Sequence, residues 1–405
     1  MHPETAHVMA SKRKRLTGAA WGKDLRLLHD SFVLGGVPER GGGMGEQIVV
    51  GAGLAGLCAA INLRREGHEV RVLERRDGIG GPARDMSTGE LTYVMADGTP
   101  MDVDKISRYI GIDVSPACAP LKTCRIYSFG KPYDTFFPKN VPAVLVERGS
   151  RKDSMDMYLY RIAVEEGVEF EFNLPLKTRK DFDDLPPKSI IAAGLFEDAY
   201  KALGIPYVHV EGLFGQGMVA DDYDGPSVIL YMDRHTQDYA FFSTIHGLAG
   251  ALLFQRKRPL SAEAKAWFPA QLAKDEGIEF PEWHNLDVGV LPMGSFNNPR
   301  LFHEKFVLAG TMAGAQDPVL LFGVHGALVT GKIAAMALSR PEEAYKEFRK
   351  INFFWKLSYI NRLFIECTHP YGLMATSRVG LSLYPLYADF AMRYAFLFVP
   401  GWMRI

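Results

Sequence analysis

The first sustained apolar pattern in the chain runs from Gln47 to Glu74, QIVVGAGLAGLCAAINLRREGHEVRVLE. Ile48, Val49 and Val50 are wholly apolar, as in a parallel strand covered by helices on both faces. The period then changes: Leu57, Ala60, Ile61 and Leu63 recur at helical spacing, Arg64 and Arg65 stand near the helix end, and Gly67 stops it. A second strand, Val70 to Leu73, ends on Glu74. Farther on, the pattern predicts extended pieces over Leu91 to Met95 and Cys124 to Phe129, a short helix over Val103 to Ile110 and a strand over Ala143 to Glu147. A helix with Met155, Leu159, Ile162 and Ala163 on one face and a strand over Val168 to Phe172 follow. Tyr207 to Ala220, Ser227 to Met232 and Tyr239 to Leu253 read as an antiparallel sheet. Ser261 to Phe268 reads as a short helix that Pro269 ends, and Glu342 to Phe353 as another.

Chemistry enters between the first strand and the first helix. Gly51, Gly53 and Gly56 stand at G-x-G-x-x-G spacing, with Ala52, Leu54 and Ala55 between them. Gly51 allows the tight turn out of the strand, Gly53 lets backbone approach a pyrophosphate, and Gly56 lets the helix pack closely on the sheet. The helix N-terminus then points free N–H groups at a diphosphate, and Glu74 can accept hydrogen bonds from a ribose. Alone the glycines are a weak signal, but strand, glycines, helix, strand and acid all occur here in order. The following Arg75 to Gly81 carries a glycine pair, Gly80-Gly81, of the kind that runs beside a flavin diphosphate. It shifts the expected cofactor from NAD toward FAD.

A chain of 405 residues, 47% hydrophobic and 23% charged, is long enough for two lobes. The net charge of -1 supplies no field for nucleic acid. Four cysteines without C-x-x-C spacing suit a reducing compartment and speak against a zinc or iron–sulfur site. No apolar run approaches the roughly 20 residues of a membrane span, so the expectation is a cytoplasmic protein, soluble or peripheral at a membrane. Met1 to Gly43, with the basic run Lys12 to Arg15 and the triplet Gly41 to Gly43, is expected to be a disordered extension or a misassigned start.

Several later stretches resemble one family. Val146-Glu147-Arg148 with the helix after it and Glu166-Gly167-Val168, then Ser189 to Gly194 and Leu203-Gly204-Ile205, look like segments of the flavoprotein group that contains geranylgeranyl reductases and aromatic hydroxylases. Ala193-Gly194 stands where the hydroxylase branch carries Asp-Gly, which lowers the case for that branch. Asp238 to Ser243 is similar to the reductases' Y-x-W-x-F-P segment, whose aromatic residues line an isoprenoid cavity; an ordinary sheet core accounts for these residues equally well. Phe306 to Ala335 resembles the group's C-terminal flavin motif: Gly310, Ala313, Gly314, Pro318, Gly323, Ala327 and Gly331 match, and Val324 and Thr330 are close substitutes. Thr311 replaces an aspartate that bonds the ribityl chain, while Leu321 and Phe322 replace two glycines.

The resemblance implies an α/β fold: a Rossmann-like three-layer FAD-binding domain (44–98, 142–205 and 287–340), an inserted antiparallel-sheet substrate domain (99–141 and 206–286) and a helical, aromatic-rich tail (341–405). It implies an FAD-dependent oxidoreductase, with Gly51, Ala52, Gly53, Leu54, Ala55, Gly56, Glu74, Arg75, Gly81, Gly310, Thr311, Pro318, Gly323 and Val324 around the cofactor. Tyr239, Phe241, Leu321 and Phe322 would line the substrate cavity, and His325 and Tyr239 are the candidate proton donors. The leading expectation is hydride transfer from flavin N5 to a carbon–carbon double bond of an apolar, isoprenoid-like small molecule. Its alternatives are a flavin monooxygenase acting on an apolar or aromatic ring and, from another class, a non-catalytic protein keeping the FAD fold. No second G-x-G-x-x-G unit occurs, so electrons are expected from transiently bound NADPH or an electron-carrier protein. No metal is implied. The tail reads either as an amphipathic helix making peripheral membrane contact or, more simply, as a helical layer on the sheet or a dimer face.

Overall fold

A computed structural model of the chain describes residues 46–80, 95–121, 123–136, 143–219, 223–291 and 300–394. Gly81, the segment Met1 to Gly43, Leu91 to Val94 and the chain beyond Tyr394 lie outside the described residues.

The predicted βαβ unit forms as β1 (Gln47–Val50), α1 (Leu54–Arg65) and β2 (Val70–Leu73). β1 and β2 are parallel and pair Gln47 with Val70 through Val50 with Leu73. They lie within a sheet of order β15-β16-β9-β1-β2-β8, completed by β8 (Glu169–Glu171), β9 (Ile190–Ile191), β15 (Phe302–His303) and β16 (Phe306–Leu308). β8, β9 and β16 run parallel to their neighbours nearer β1, and β15 is antiparallel at the edge. The wholly apolar reading of β1 is explained by its burial: Ile48, Val49 and Val50 are all inside.

The second sheet, of order β14-β10-β13-β12-β11-β5-β6, is assembled from two separated stretches. β5 (Thr123–Ser128) and β6 (Lys131–Phe136) come from the first; β10 (Val208–Met218), β11 (Val228–Met232), β12 (Ala240–Ile245), β13 (Leu248–Arg256) and β14 (Trp283–Leu291) come from the second. All described neighbours are antiparallel except β5 and β11. Period-two alternation gives this sheet two faces. Leu213, Phe242, Ala251 and Leu253 pack against α6 (Ala262–Glu276). Val210, Phe214, Leu252 and Phe254 face the opposite way with Tyr239. A small antiparallel sheet of β3 (Met95–Pro100), β7 (Ala143–Arg148) and β4 (Ala119–Pro120), in the order β3-β7-β4, lies alongside.

The helices α2 (Val103–Ile110), α3 (Met155–Glu165), α4 (Arg179–Asp183) and α5 (Glu197–Leu203) connect these strands. One expectation is corrected: Pro269 does not end α6, which continues through it to Glu276. Proline removes a single backbone donor, whereas Ala264, Phe268 and Leu272, one stripe on both sides of Pro269, are buried against the sheet. Tertiary burial outweighs the local penalty.

The C-terminal part is helical: α7 (Val324–Ser339), α8 (Pro341–Thr368) and α9 (Tyr371–Tyr394), the last kinked at Tyr387. α8 extends well past the expected end at Phe353, and its Phe348, Ile351, Phe354 and Trp355 are buried. The tail is thus a layer packed on the body of the protein. Among the described residues no helix is long and apolar enough to cross a membrane.

Candidate functional site

Two glycine-bearing segments far apart in the chain meet on α1. A side-chain carbon at Gly56 would come within 1.9 Å of the Gly51 carbonyl oxygen, so the helix approaches the strand turn as closely as only glycine allows. At Gly331 of α7 such a carbon would lie 2.5 Å from the Ala55 carbonyl oxygen, and at Gly310 it would lie 2.9 Å from the Ala55 side chain. Thr330 ties the junction: its hydroxyl accepts from Gly310 N at 2.8 Å and donates to Gly326 O at 2.6 Å. Lys332 Nζ bonds Asn62 Oδ1 at 2.6 Å, joining α7 to α1 again.

At the first end of the site, Gly53 is the N-cap of α1 and carries no side-chain cap bond. Nothing lies within 4 Å of where its side chain would be, which leaves an open cradle before uncapped amides. Glu74 holds the loop in shape: Ala52 N donates to its Oε2 at 2.8 Å and Arg76 N to its Oε1 at 3.0 Å. Arg75 lies over the Phe196 ring at 4.0 Å, and burial draws its guanidinium below the usual arginine range. Arg148, at the end of β7, makes a two-pronged pair with Asp156 at 2.7 and 2.9 Å, and Gly149 N also donates to Asp156.

The other end is built differently. The loop Asp317–Phe322 folds back on itself, with Asp317 N donating to Phe322 O and Leu321 N to Asp317 O, each at 3.0 Å. Asp317 is fully buried: its Oδ1 accepts from Val319 N and Leu320 N, and Ser358 of α8 donates to its Oδ2. Burial pushes its carboxyl above the usual range, against these hydrogen bonds. Tyr239 donates its hydroxyl to Leu320 O. Arg256 donates to Pro318 O at 2.8 Å and to Asp238 at 2.7 Å, and Arg362 of α8 bonds the same Asp238 oxygen at 2.7 Å. Leu321 sits at φ 57°, a left-handed conformation that suits glycine better than leucine. This is one of the two positions where the flavin motif has glycine. The positive φ is what a glycine there would adopt without strain, so leucine occupies a backbone suited to glycine.

Both ends open into one cavity of ≈ 890 Å³. Among the described residues the charged ones that line it, Glu74, Arg75, Arg76, Arg148, Asp156, Glu197 and Asp198, all belong to the dinucleotide side. The contributions of β5, β6 and β10 to β13, of the segment 310–327 and of α9 (Leu381 and Tyr384) carry no charge. The cavity is therefore polar at one end and apolar at the other.

Of the residues expected at the cofactor, Gly51, Ala52, Gly53, Leu54, Ala55, Glu74, Arg75, Gly310, Thr311, Gly323 and Val324 line this cavity. Gly56 and Pro318 stand behind it, the first packing helix on strand and the second receiving Arg256. Tyr239, Phe241, Leu321 and Phe322 are all brought to the cavity. His325 is not among the lining residues; it is buried, both ring nitrogens lack hydrogen-bond partners among the described residues, and burial lowers its pKa to about 4. Sequence reasoning missed Asp156, Gln316 and Thr99. Thr99 Oγ1 and Gln316 Oε1 are buried lining atoms without a protein hydrogen-bond partner among the described residues, while Gln316 Nε2 is held by Leu321 O at 2.8 Å. Arg148 was visible as the last residue of the V-E-R segment; its partner on the next helix was not.

These residues fit an FAD. An open glycine cradle and a second uncapped helix N-terminus at Gly323 both face the cavity, and Thr99 and Gln316 supply buried polar atoms left unsatisfied among the described residues.

Comparison with known proteins agrees with this architecture. Residues 49–101 match the NAD(P)-binding Rossmann-like domain family. A protein named as a flavin-containing monoamine oxidase, AofH, of Mycobacterium tuberculosis is 54% identical over 50 residues, 12% of this chain and 10% of that protein. The chain thus spans about a tenth of the length of the curated relatives it matches. A solved geranylgeranyl bacteriochlorophyll reductase-like protein from Thermoplasma acidophilum superposes with a TM-score of 0.61 at 17% identity, covering 80% of this chain and 88% of the other. p-Nitrophenol 4-monooxygenase PnpA from Pseudomonas putida superposes with a TM-score of 0.58 at 13% identity, covering 88% and 98%. This chain has the fold of that flavoprotein group. The family match covers the dinucleotide unit, and the solved structures match the overall fold. A plant protein named lysine-specific histone demethylase 1 homolog 3, from Arabidopsis thaliana, is 27% identical over 234 residues, 51% of this chain and 13% of that protein.

Proposed function

We propose that the protein is an FAD-dependent oxidoreductase that reduces a carbon–carbon double bond in an apolar, isoprenoid-like substrate. The observation that supports this most is the division of the cavity: among the described residues every charged lining residue lies on the dinucleotide side. The side formed by the second sheet, the segment 310–327 and α9 is apolar apart from Cys124, Thr135, Tyr239, Ser243, Thr311, Gln316 and Tyr384, none of them charged. A small acid would need a charged clamp; a long hydrocarbon needs none. When bound and reduced, FAD would supply a hydride at N5, and a proton from solvent would complete the saturated bond.

The chain's own residues bind, orient and shield. The α1 N-terminus and Gly53 would hold the pyrophosphate, Glu74, which holds the glycine loop, would present its remaining lone pairs to a ribose, and the α7 N-terminus would offer its positive dipole end to charge on the reduced flavin. Leu321 and Phe322 present apolar side chains to the cavity. Tyr239 donates its proton to Leu320 O and so fixes this loop.

Anaerobic incubation of FAD-loaded, chemically reduced protein with polyunsaturated isoprenoid alcohols tests the reading. Flavin reoxidation with products two hydrogens heavier is expected. Substrate-stimulated aerobic NADPH oxidation that inserts oxygen, with no anaerobic turnover, would replace it by the monooxygenase reading.

A further inference from the structure

Eight of the ten large hydrophobic side chains exposed among the described residues lie on α8 and α9: Phe353, Ile360, Leu363, Phe364, Tyr371, Val379, Leu383 and Leu386. On α9, Tyr371, Val379, Leu383 and Leu386 recur at helical spacing and form one outward stripe. Leu381 and Tyr384 lie on the opposite side of the same helix and line the cavity. A single helix thus separates the apolar half of the cavity from an apolar outer face.

The charges of this region are turned away from that face. Between Leu357 and Ala388 the charged residues are Arg362, Glu366 and Arg378. Arg362 is buried on Asp238, Glu366 pairs with Arg362 and Lys257, and Arg378 donates to the carbonyls of Ser128 and Phe129. Cations return at the border: Arg349 and Lys356 are exposed along α8 before the uncharged stretch begins, and Lys350 beside them is exposed and pairs with Glu347 at 2.6 Å. An uncharged outer face bordered by lysine and arginine matches a bilayer, with hydrocarbon opposite the face and anionic headgroups opposite the border. A concentration of exposed apolar side chains of this kind marks an interaction surface.

We propose that the outer face of α8 and α9 docks on a lipid bilayer bearing anionic headgroups, and that α9 is the partition past which a membrane-dissolved apolar substrate reaches the cavity. The entry route rests on the function proposed above; the docking does not. The cavity wall and the docking face are the two sides of one helix, so a lipid-soluble substrate need not cross water.

Flotation of the full chain with phosphatidylcholine–phosphatidylglycerol vesicles tests the docking without any activity measurement. The protein is expected to float with the vesicles. A Leu383→Asp, Leu386→Asp variant, altered only on the outer stripe, is expected to lose partitioning by about tenfold or more, given what burying a leucine contributes. Its melting temperature and circular dichroism report whether it is folded, and Lys356→Glu provides a second variant, expected to weaken flotation on anionic vesicles only. Absence of flotation, or equal flotation of the folded double variant, overturns the proposal. A concentration-dependent dimer that the double variant dissociates, with no vesicle binding, also overturns it and gives the face to a second copy of the chain. If flotation holds while reduced protein fails to reduce isoprenoid alcohols, the docking stands and the proposed reaction fails.

Discussion

The two ends of the cavity solve the same problem, holding a loop in one shape, by opposite means. At the Gly51–Gly56 end the shape is local: glycines permit close approach, and one nearby carboxylate, Glu74, staples the turn through Ala52 N and Arg76 N. At the Asp317–Phe322 end the loop carries leucine and phenylalanine where glycine is usual, and it is held by Tyr239, Arg256 and Ser358 from three distant segments. A loop of glycines gains its shape from backbone freedom; a loop with side chains has to be clamped. The clamp also explains the tail, because Ser358 and Arg362 reach the loop and its anchor from α8.

The largest effect is expected from breaking the clamp at its hub. Asp238→Ala leaves Arg256 and Arg362 buried without their shared carboxylate and should destabilise the protein by about 3–5 kcal/mol, measured by denaturant unfolding. A loss below about 1 kcal/mol would mean that the network is not what holds the distant end.

That difference also marks what could be read from the chain alone. The strand, glycines, helix and Glu74 occupy one continuous stretch whose chemistry depends on spacing, so they were legible. The match of Phe306 to Ala335 located the second loop, and Tyr239, Phe241, Leu321 and Phe322 do line the cavity. The clamp was not legible, because Asp238, Arg256, Asp317, Ser358 and Arg362 are joined only by the fold. Asp156 was missed for the same reason, and Pro269 misled because local propensity was weighed without the buried stripe on either side of it.

A smaller effect sharpens the comparison. Leu321→Gly relieves a left-handed leucine, a strain of about 1–2 kcal/mol, and gives up a similar amount of partial burial. Unfolding should therefore shift by less than about 1 kcal/mol. The space over the ring position should widen, seen as relaxed selectivity among bulky substrates. Unchanged selectivity would remove Leu321 from the substrate wall.

The smallest effect belongs to His325, which both ends leave unused. Its pKa is lowered by burial from 6.5 to about 4, so the folded state excludes a proton that the unfolded chain accepts. The stability from keeping it neutral is full above about pH 6.5 and is lost as the pH falls toward about 4. His325→Gln should flatten the stability–pH curve across that window while turnover at neutral pH stays within about threefold. A large loss of turnover in a folded variant would return His325 to the chemistry.

Two segments from opposite halves of the chain close on the cavity that fits FAD. The visible absorption spectrum of the protein after incubation with FAD and gel filtration tests it, read beside a Gly53→Asp variant. Gly53 has extended backbone angles and nothing within 4 Å of its side-chain position, so aspartate fits the protein and obstructs only a pyrophosphate. A flavin spectrum at about one FAD per chain is expected for the natural sequence, beside a folded, colourless variant. A natural protein that takes up no FAD, or a variant that retains it equally well, would contradict the account.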